Sequence, residues 1–310
     1  MERVLLTKDL HARGFDGDEI EAKVRAGELV RVRRGAYAVG PEPPSSTDDR
    51  AVHRRLIAAT IGQCHDGAVL SHMSAALLHG LPVWRDQLSC VQVIRNREGG
   101  GRSRRYVVVR GLPLADEDVV VVDGVATTSL ARTVVDLACQ LPVRRAVAIG
   151  DAALRQTLIA EPERDLRGEI EATLMRAVRR PGVPAARRAI GFLDPRSESA
   201  GESESRLLIS EHGFPTPVLQ YKIFDARGNL VARSDFGWPE LRTVGEFDGA
   251  VKYSGRFGKS AEQAVLDEKR RENAIRAQGL YVARWVWSDL RPPYEFAAIL
   301  RRTLSQARAG

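Results

Sequence analysis

The stretch Ser234-Asp235-Phe236-Gly237-Trp238-Pro239-Glu240, followed closely by Gly245-Glu246-Phe247-Asp248-Gly249, decides how this chain is read. Two short apolar segments each deliver carboxylates, and Trp238-Pro239-Glu240 between them suits a turn. The second segment, 241–247, reads as a strand. Side chains on a strand alternate with period two, so Glu246 and Asp248 lie on one face. With the turn in place, Asp235 lies on the adjoining strand and three carboxylates converge. Hard cations such as Mg²⁺ take oxygen ligands and keep several waters, so a few carboxylates suffice where a nucleic-acid phosphate supplies the rest. Ordinary surface hairpins also carry acids between a Pro turn and a Gly, and the spacing alone fits both.

The flanking sequence supplies a frame. Glu202-Ser203-Glu204-Ser205-Arg206 starts a helix that ends near Gly213, and 217–224 reads as a strand closed by Asp225-Ala226-Arg227-Gly228-Asn229. Downstream, 260–278 is a highly charged helix stopped by Gly279, and 280–287 is a further strand. This order of helix, three strands, helix and strand resembles the PD-(D/E)XK restriction-endonuclease-like superfamily. Asp235-Phe236, Glu246-Phe247-Asp248-Gly249, Lys269-Arg270-Arg271-Glu272-Asn273 and Ala283-Arg284-Trp285 resemble its branch related to very-short-patch-repair endonucleases.

The resemblance covers the last third of the chain and implies a Mg²⁺-dependent phosphodiesterase site. Asp235 and Glu246 would be its metal ligands, Asp248 would assist, and Glu204 on the first helix would be a further ligand. Glu204 equally suits a helix N-terminus, where negative charge complements the dipole. The superfamily places a Lys two residues after its second acid, whereas this chain has Asp248 there; Lys252 or Lys222 would have to swing in. A catalytically silent nuclease fold is therefore the alternative.

The other end carries a different pattern. Leu5-Leu6-Thr7 precedes a short helix running to Arg13, Asp16 or Asp18 caps a second helix through Ala26, and 29–39 alternates apolar and polar residues about an Arg34-Gly35 turn. Two short helices and a basic hairpin describe a winged helix, in which the second helix enters the major groove and wing arginines meet phosphate. A compact unit that packs on the rest of the chain and binds nothing has the same pattern. The run from Gly27 to Tyr37 resembles the amino-terminal domain of the AbiEi family of type IV toxin-antitoxin antitoxins. That resemblance implies DNA contacts by Lys23 and Arg25 on the second helix and by Arg31, Arg33 and Arg34 on the wing. It also implies a cognate toxin as a second partner.

In the middle, Leu70 to Pro82 and Thr128 to Ala138 resemble segments of the same family. His72 and His79 share a helix face and read as packing or hydrogen-bonding residues, since no third metal ligand is evident. Arg102, Arg104, Arg105 and Arg110 flank a short strand and either paint a basic face or form a solvated loop. Arg132 and Asp136, one helical turn apart, read as a surface or half-buried ion pair.

Composition bounds the classes. At 310 residues, 44% hydrophobic and 28% charged, the chain has the make-up of a multidomain globular protein. No apolar run is long enough to cross a membrane, and no secretory signal opens the sequence, so a cytoplasmic protein is expected. Cys64, Cys90 and Cys139 lack metal-binding spacing and read as small core residues. The net charge of +7 is spread along the chain, and the basic residues are overwhelmingly Arg, so a phosphate partner is compatible with the charge without being demanded by it. The expected architecture is an α/β multidomain chain: a winged helix over 1–40, an α/β region over 48–195 and an endonuclease-like domain over 200–310. The expected function is DNA binding with a metal-dependent phosphodiesterase domain; the alternative is a repressor or antitoxin with a silent nuclease fold.

Overall fold

The structure is a computed structural model that describes residues 4–40, 48–64, 67–97, 100–177, 179–249 and 261–309, excepting the side chains of 261–265 and 307–309. The chain is mixed α/β with three separate sheets, and its contacts divide it into two compact units. One comprises 1–141 and 165–190, the other 142–164 and 191–310. The three regions expected from the linkers thus differ from the contact division in two ways: 1–40 groups with the region that follows it, and the helix 143–160 belongs by its contacts with the carboxyl-terminal unit before the chain returns for two helices. The linker expected at 40–46 lies, beyond Gly40, outside the described residues.

The first unit opens with β1 (Val4–Leu6), α1 (Thr7–His11), α2 (Gly17–Arg25), β2 (Leu29–Arg33) and β3 (Ala36–Val39). Asp16 caps α2 through a capping box with Glu19, so of the two candidate caps it is Asp16 that serves. β2 and β3 form the expected hairpin about Arg34-Gly35, where Gly35 takes φ +80°, a left-handed turn position that favours glycine. β1 joins as a third strand in the order β1-β3-β2. Leu10, Ile20, Leu29 and Tyr37 fill the core of this module.

The unit continues with α3 (Asp49–Ile61), β4 (Ala68–Leu70), α4 (His72–Leu78), β5 (Val91–Asn96), β6 (Gly101–Arg104), β7 (Val107–Leu112), β8 (Val119–Val122), β9 (Val125–Thr128) and α5 (Leu130–Gln140). The six strands form one sheet, β6-β7-β5-β4-β9-β8, with α3 and α4 packed on it through Leu56, Ile57 and Leu77. α5 is buried along most of its length, and the Arg132–Asp136 pair is consequently not a surface feature. Asp136 is 0% exposed and pairs with both Arg132 (2.9 Å) and Arg180 (2.7 Å), while Arg132 also meets Asp118 at 2.7 Å. Burial alone would raise the Asp118 carboxyl, but the Ala115 N–H, Arg132 and Arg176 together hold it below the usual range.

The second unit begins with α6 (Val143–Ala160). After α7 (Leu166–Arg176) and α8 (Val183–Gly191), it resumes with α9 (Ala200–Glu211), β10 (Val218–Phe224), β11 (Leu230–Trp238), β12 (Thr243–Phe247), α10 (Ala261–Ala277), β13 (Tyr281–Trp285) and α11 (Pro293–Ala309). The expected succession of helix, three strands, helix and strand is present. Its sheet runs β10-β11-β12-β13, antiparallel except for the parallel β12–β13 pair that α10 connects. Phe236, Trp238, Trp285, Phe296 and Leu300 form the core. No helix among the described residues is long and apolar enough to cross a membrane. The three cysteines are free and half-buried rather than fully enclosed.

Candidate functional site

The acid-bearing strands meet as their spacing predicts. Trp238-Pro239-Glu240 leads into a single 3-10 turn, after which β12 runs antiparallel to β11 and places Glu246 beside the Ser234–Asp235 segment. All five residues of β12 are buried, because α9 covers one face and β11 and β13 flank its edges. Gly201 makes the helix contact close: a Cβ there would lie 2.0 Å from the Phe247 ring, so only glycine lets the first turn of α9 rest on β12.

The resulting cleft, about 630 Å³, is lined by Glu202, Asp235, Glu246, Glu268, Arg233 and Arg271 among others. Glu246 is 3% exposed. Its Oε1 accepts from Ser234 Oγ (3.1 Å), and its Oε2 accepts from Arg271 Nη2 (2.6 Å) and forms an ion pair with Arg284 Nη2 (2.9 Å). Asp235 Oδ2 accepts from the Phe247 N–H at 2.8 Å, so this carboxylate continues the strand ladder. Asp248 lies 3.8 Å from Arg284, which also pairs with Glu268. Four acids thus surround Arg284 when Glu272 at 3.7 Å is included.

The helix acid in this cleft is Glu202, not the expected Glu204. Two residues on a helix subtend about 200°, so the two side chains leave opposite faces. Glu204, itself buried, turns away to the exposed Arg291 (3.1 Å) and the half-buried Arg144 (3.5 Å). Glu202 Oε2 instead accepts from the Glu198 N–H and from Gln220 Nε2, both at 2.9 Å. Burial first, and then the Asp235 charge, push its carboxyl up to about 7. Nothing in the sequence separates Glu202 from Glu204; the Gly201 contact with Phe247 fixes the helix rotation.

Gln220 itself is strained. It has φ +53°, and it is missing from the β10–β11 register between Leu219↔Phe236 and Tyr221↔Ser234, the place opposite Asp235. For a residue with a Cβ this conformation costs roughly 1–2 kcal/mol, and such strain concentrates at functional sites. Its Oε1 is buried and lacks a hydrogen-bond partner. Lys222 is on β10, and Lys252 lies outside the described residues. Among the described residues, no three His, Cys, Asp or Glu side chains are grouped so as to hold a metal ion.

The five basic residues expected at DNA fall into two sets. Lys23 pairs with Glu28 (2.6 Å) and covers the Phe15 ring, Arg31 pairs with Glu21, and Arg33 turns inward to donate to the Ala59 carbonyl and Gln63 Oε1 of the α3 end. Arg25 and Arg34 are exposed and enter no ion pair with a described residue. His79 Nε2 bonds the Thr128 carbonyl and His72 Nδ1 meets Ser71 Oγ, so both histidines are held by hydrogen bonds within the fold. Burial drives the His72 imidazole down to about 3, ahead of the opposing pull of Asp136, so it is neutral at physiological pH.

Comparison with known proteins gives a family without an activity. No family model matches the chain. Over 291 residues it is 34% identical to "Uncharacterized protein MT2308" of Mycobacterium tuberculosis (strain CDC 1551 / Oshkosh), a match that covers 94% of this chain and 97% of the relative. The same figures hold for "Uncharacterized protein Rv2248" of Mycobacterium tuberculosis (strain ATCC 25618 / H37Rv). The chain belongs to the family of these two mycobacterial proteins.

Proposed function

We propose that the protein is a DNA-binding protein whose carboxyl-terminal unit carries a metal-dependent phosphodiesterase site of PD-(D/E)XK type. The observation that carries this reading is the coupling of Glu202 with Asp235 in one cleft, beside Glu246. A carboxyl raised by burial and by a neighbouring acid, lining a cleft and bonded to the strained Gln220, marks a place arranged for chemistry rather than for stability. The donor chemistry suits a hard divalent cation such as Mg²⁺ through the carboxylate oxygens of Asp235 and Glu246 in the cleft; since no three acids among the described residues are grouped to hold one, water and a bound phosphate would supply its remaining ligands. When bound, such a cation supplies a water of lowered pKa and neutralises phosphate charge. The protein's own groups do the rest. The Phe247 N–H orients Asp235, Ser234 orients Glu246, and Arg233 and Arg271 offer guanidinium donors to a phosphate in the cleft.

A second reading has its own support. Glu246 is held by two arginines, and Asp248, at the place where the superfamily has Lys, faces Arg284. These contacts suit a silent nuclease fold serving a regulator of the AbiEi type with a cognate toxin partner. The amino-terminal helix–helix–hairpin supplies the winged-helix DNA contact under both readings, through Arg25 and Arg34. The deciding experiment is Mg²⁺- or Mn²⁺-dependent cleavage of plasmid and mismatched duplex DNA by wild type, Asp235→Ala and Glu246→Ala, with gel shifts on DNA upstream of its own gene. Metal-dependent cutting lost in both variants supports the nuclease. Tight binding without cutting supports the regulator.

A further inference from the structure

We propose that the β6–β7 hairpin of the first unit is a second phosphate-binding surface, continuous with the wing, which extends the contact with duplex DNA beyond the amino-terminal module. This inference rests on the DNA-binding reading above. Its geometric basis is one ring: the Arg33 guanidinium of the wing lies 5.9 Å from the Tyr106 centroid, and Arg105 lies 5.4 Å from the same centroid. An arginine of the wing strand β2 and one of the β6–β7 turn therefore approach the same tyrosine ring, so the wing and the hairpin are neighbours.

The hairpin is built to present charge. β6 is an edge strand, paired only with β7, and each of its four residues is exposed. Arg102 and Arg104 stand opposite Val109 and Val107, so they share the sheet face on which α3 packs. The wing docks on that same helix, through Arg33 and the Ala59 carbonyl. Two residues apart on a strand, the two arginines are about 6.6 Å apart, comparable to neighbouring phosphates along one DNA strand.

Pairing supports the assignment. Several arginines of this unit are matched with carboxylates, as Arg31 is with Glu21, Arg54 with Asp123, and Arg132 with Asp118 and Asp136. Arg34, Arg102, Arg104 and Arg105 are all exposed and have no ion pair with a described residue. An unmatched cluster of guanidinium forks, presented by a sheet edge, fits bidentate contact with phosphate oxygens, which carry no sequence information. It should therefore add affinity without adding sequence preference.

The test uses the full chain and two duplexes, one from the DNA upstream of its own gene and one of shuffled sequence. Fluorescence anisotropy is followed across a salt series for wild type, Arg25→Ala and the triple variant Arg102→Gln/Arg104→Gln/Arg105→Gln, with thermal melts to verify that each is folded. The triple variant is expected to weaken binding to both duplexes alike, by about tenfold or more, and to flatten the plot of log affinity against log salt by about 3. An unchanged slope in a folded triple variant, with binding still lost in Arg25→Ala, overturns this inference and leaves the DNA reading standing. Wild type that binds neither duplex overturns both. Stronger competition by polyglutamate or single-stranded RNA than by the shuffled duplex assigns the hairpin to a different partner and overturns the proposal.

Discussion

Glu246 and Arg284 are register partners across the parallel pair β12 and β13, with Arg284 Nη2 2.9 Å from Glu246 Oε2. This acid on a wholly buried strand is thus neutralised by its own sheet neighbour, and Arg271 on α10 adds a second guanidinium. Removing one partner of a buried pair leaves a charge without compensation. Arg284→Ala should therefore destabilise the second unit by about 2 kcal/mol, less than the usual cost of breaking a buried pair because Arg271 remains. Urea unfolding of Arg284→Ala, Glu246→Gln and the double variant measures this; additive losses would mean that the two residues are not coupled.

Gly201 gives a steric prediction. Its substitution by Ala places a methyl 2.0 Å from the Phe247 ring and must push α9 off β12 or displace the ring. Overpacking of this kind costs about 2 kcal/mol. Gly201→Ala with Phe247→Leu should recover part of the loss, and the melting temperatures of the single and double variants decide the point.

The Glu202 carboxyl makes stability depend on pH in a defined window. Its folded pKa, about 7, lies above the ordinary carboxylate value of 4.5. The unfolded chain therefore releases this proton first, and stability falls as pH rises from 4.5 to 7, then levels off. The total is on the order of 3 kcal/mol, from 1.36 kcal/mol per pKa unit. Glu202→Gln, always neutral, should lose this component of the pH dependence. Denaturation curves with EDTA at both ends of the window, for wild type and variant, provide the comparison; parallel pH profiles would place the titration on another group.

The wing arginines should divide by role. Arg33 bonds the Ala59 carbonyl and Gln63, so Arg33→Ala should lower the melting temperature of the first unit, by the equivalent of about 1–2 kcal/mol for lost hydrogen bonds of a charged group. Arg34, exposed on the turn, should leave the melt unchanged when replaced by Ala and weaken DNA binding in a salt-dependent manner. Melting curves beside anisotropy titrations separate the two; equal effects on stability would contradict this division.

Much of the architecture was legible in the sequence because it rests on local signals. The turn at Trp238-Pro239-Glu240, the Asp16 capping box, the Arg34-Gly35 hairpin and the order of elements from α9 to β13 all follow from turn chemistry, capping and periodicity within short windows. Those same windows placed Asp235 and Glu246 on neighbouring strands. Their limits show where one residue had to be chosen over another. Glu202 and Glu204 are equally plausible helix acids until Phe247, more than forty residues away, fixes the rotation of α9 through Gly201. Arg33 and Arg34 are adjacent wing arginines until α3 captures the first. Arg132 and Asp136 pass for a surface pair until Asp118 and Arg180 close over them. By itself the sequence determined which segments are helix and strand and which of them carry charge, since propensity and capping act between near neighbours. The tertiary structure alone decided which charges are neutralised in the interior and which face solvent, because burial and ion pairing are set by residues far apart in the chain.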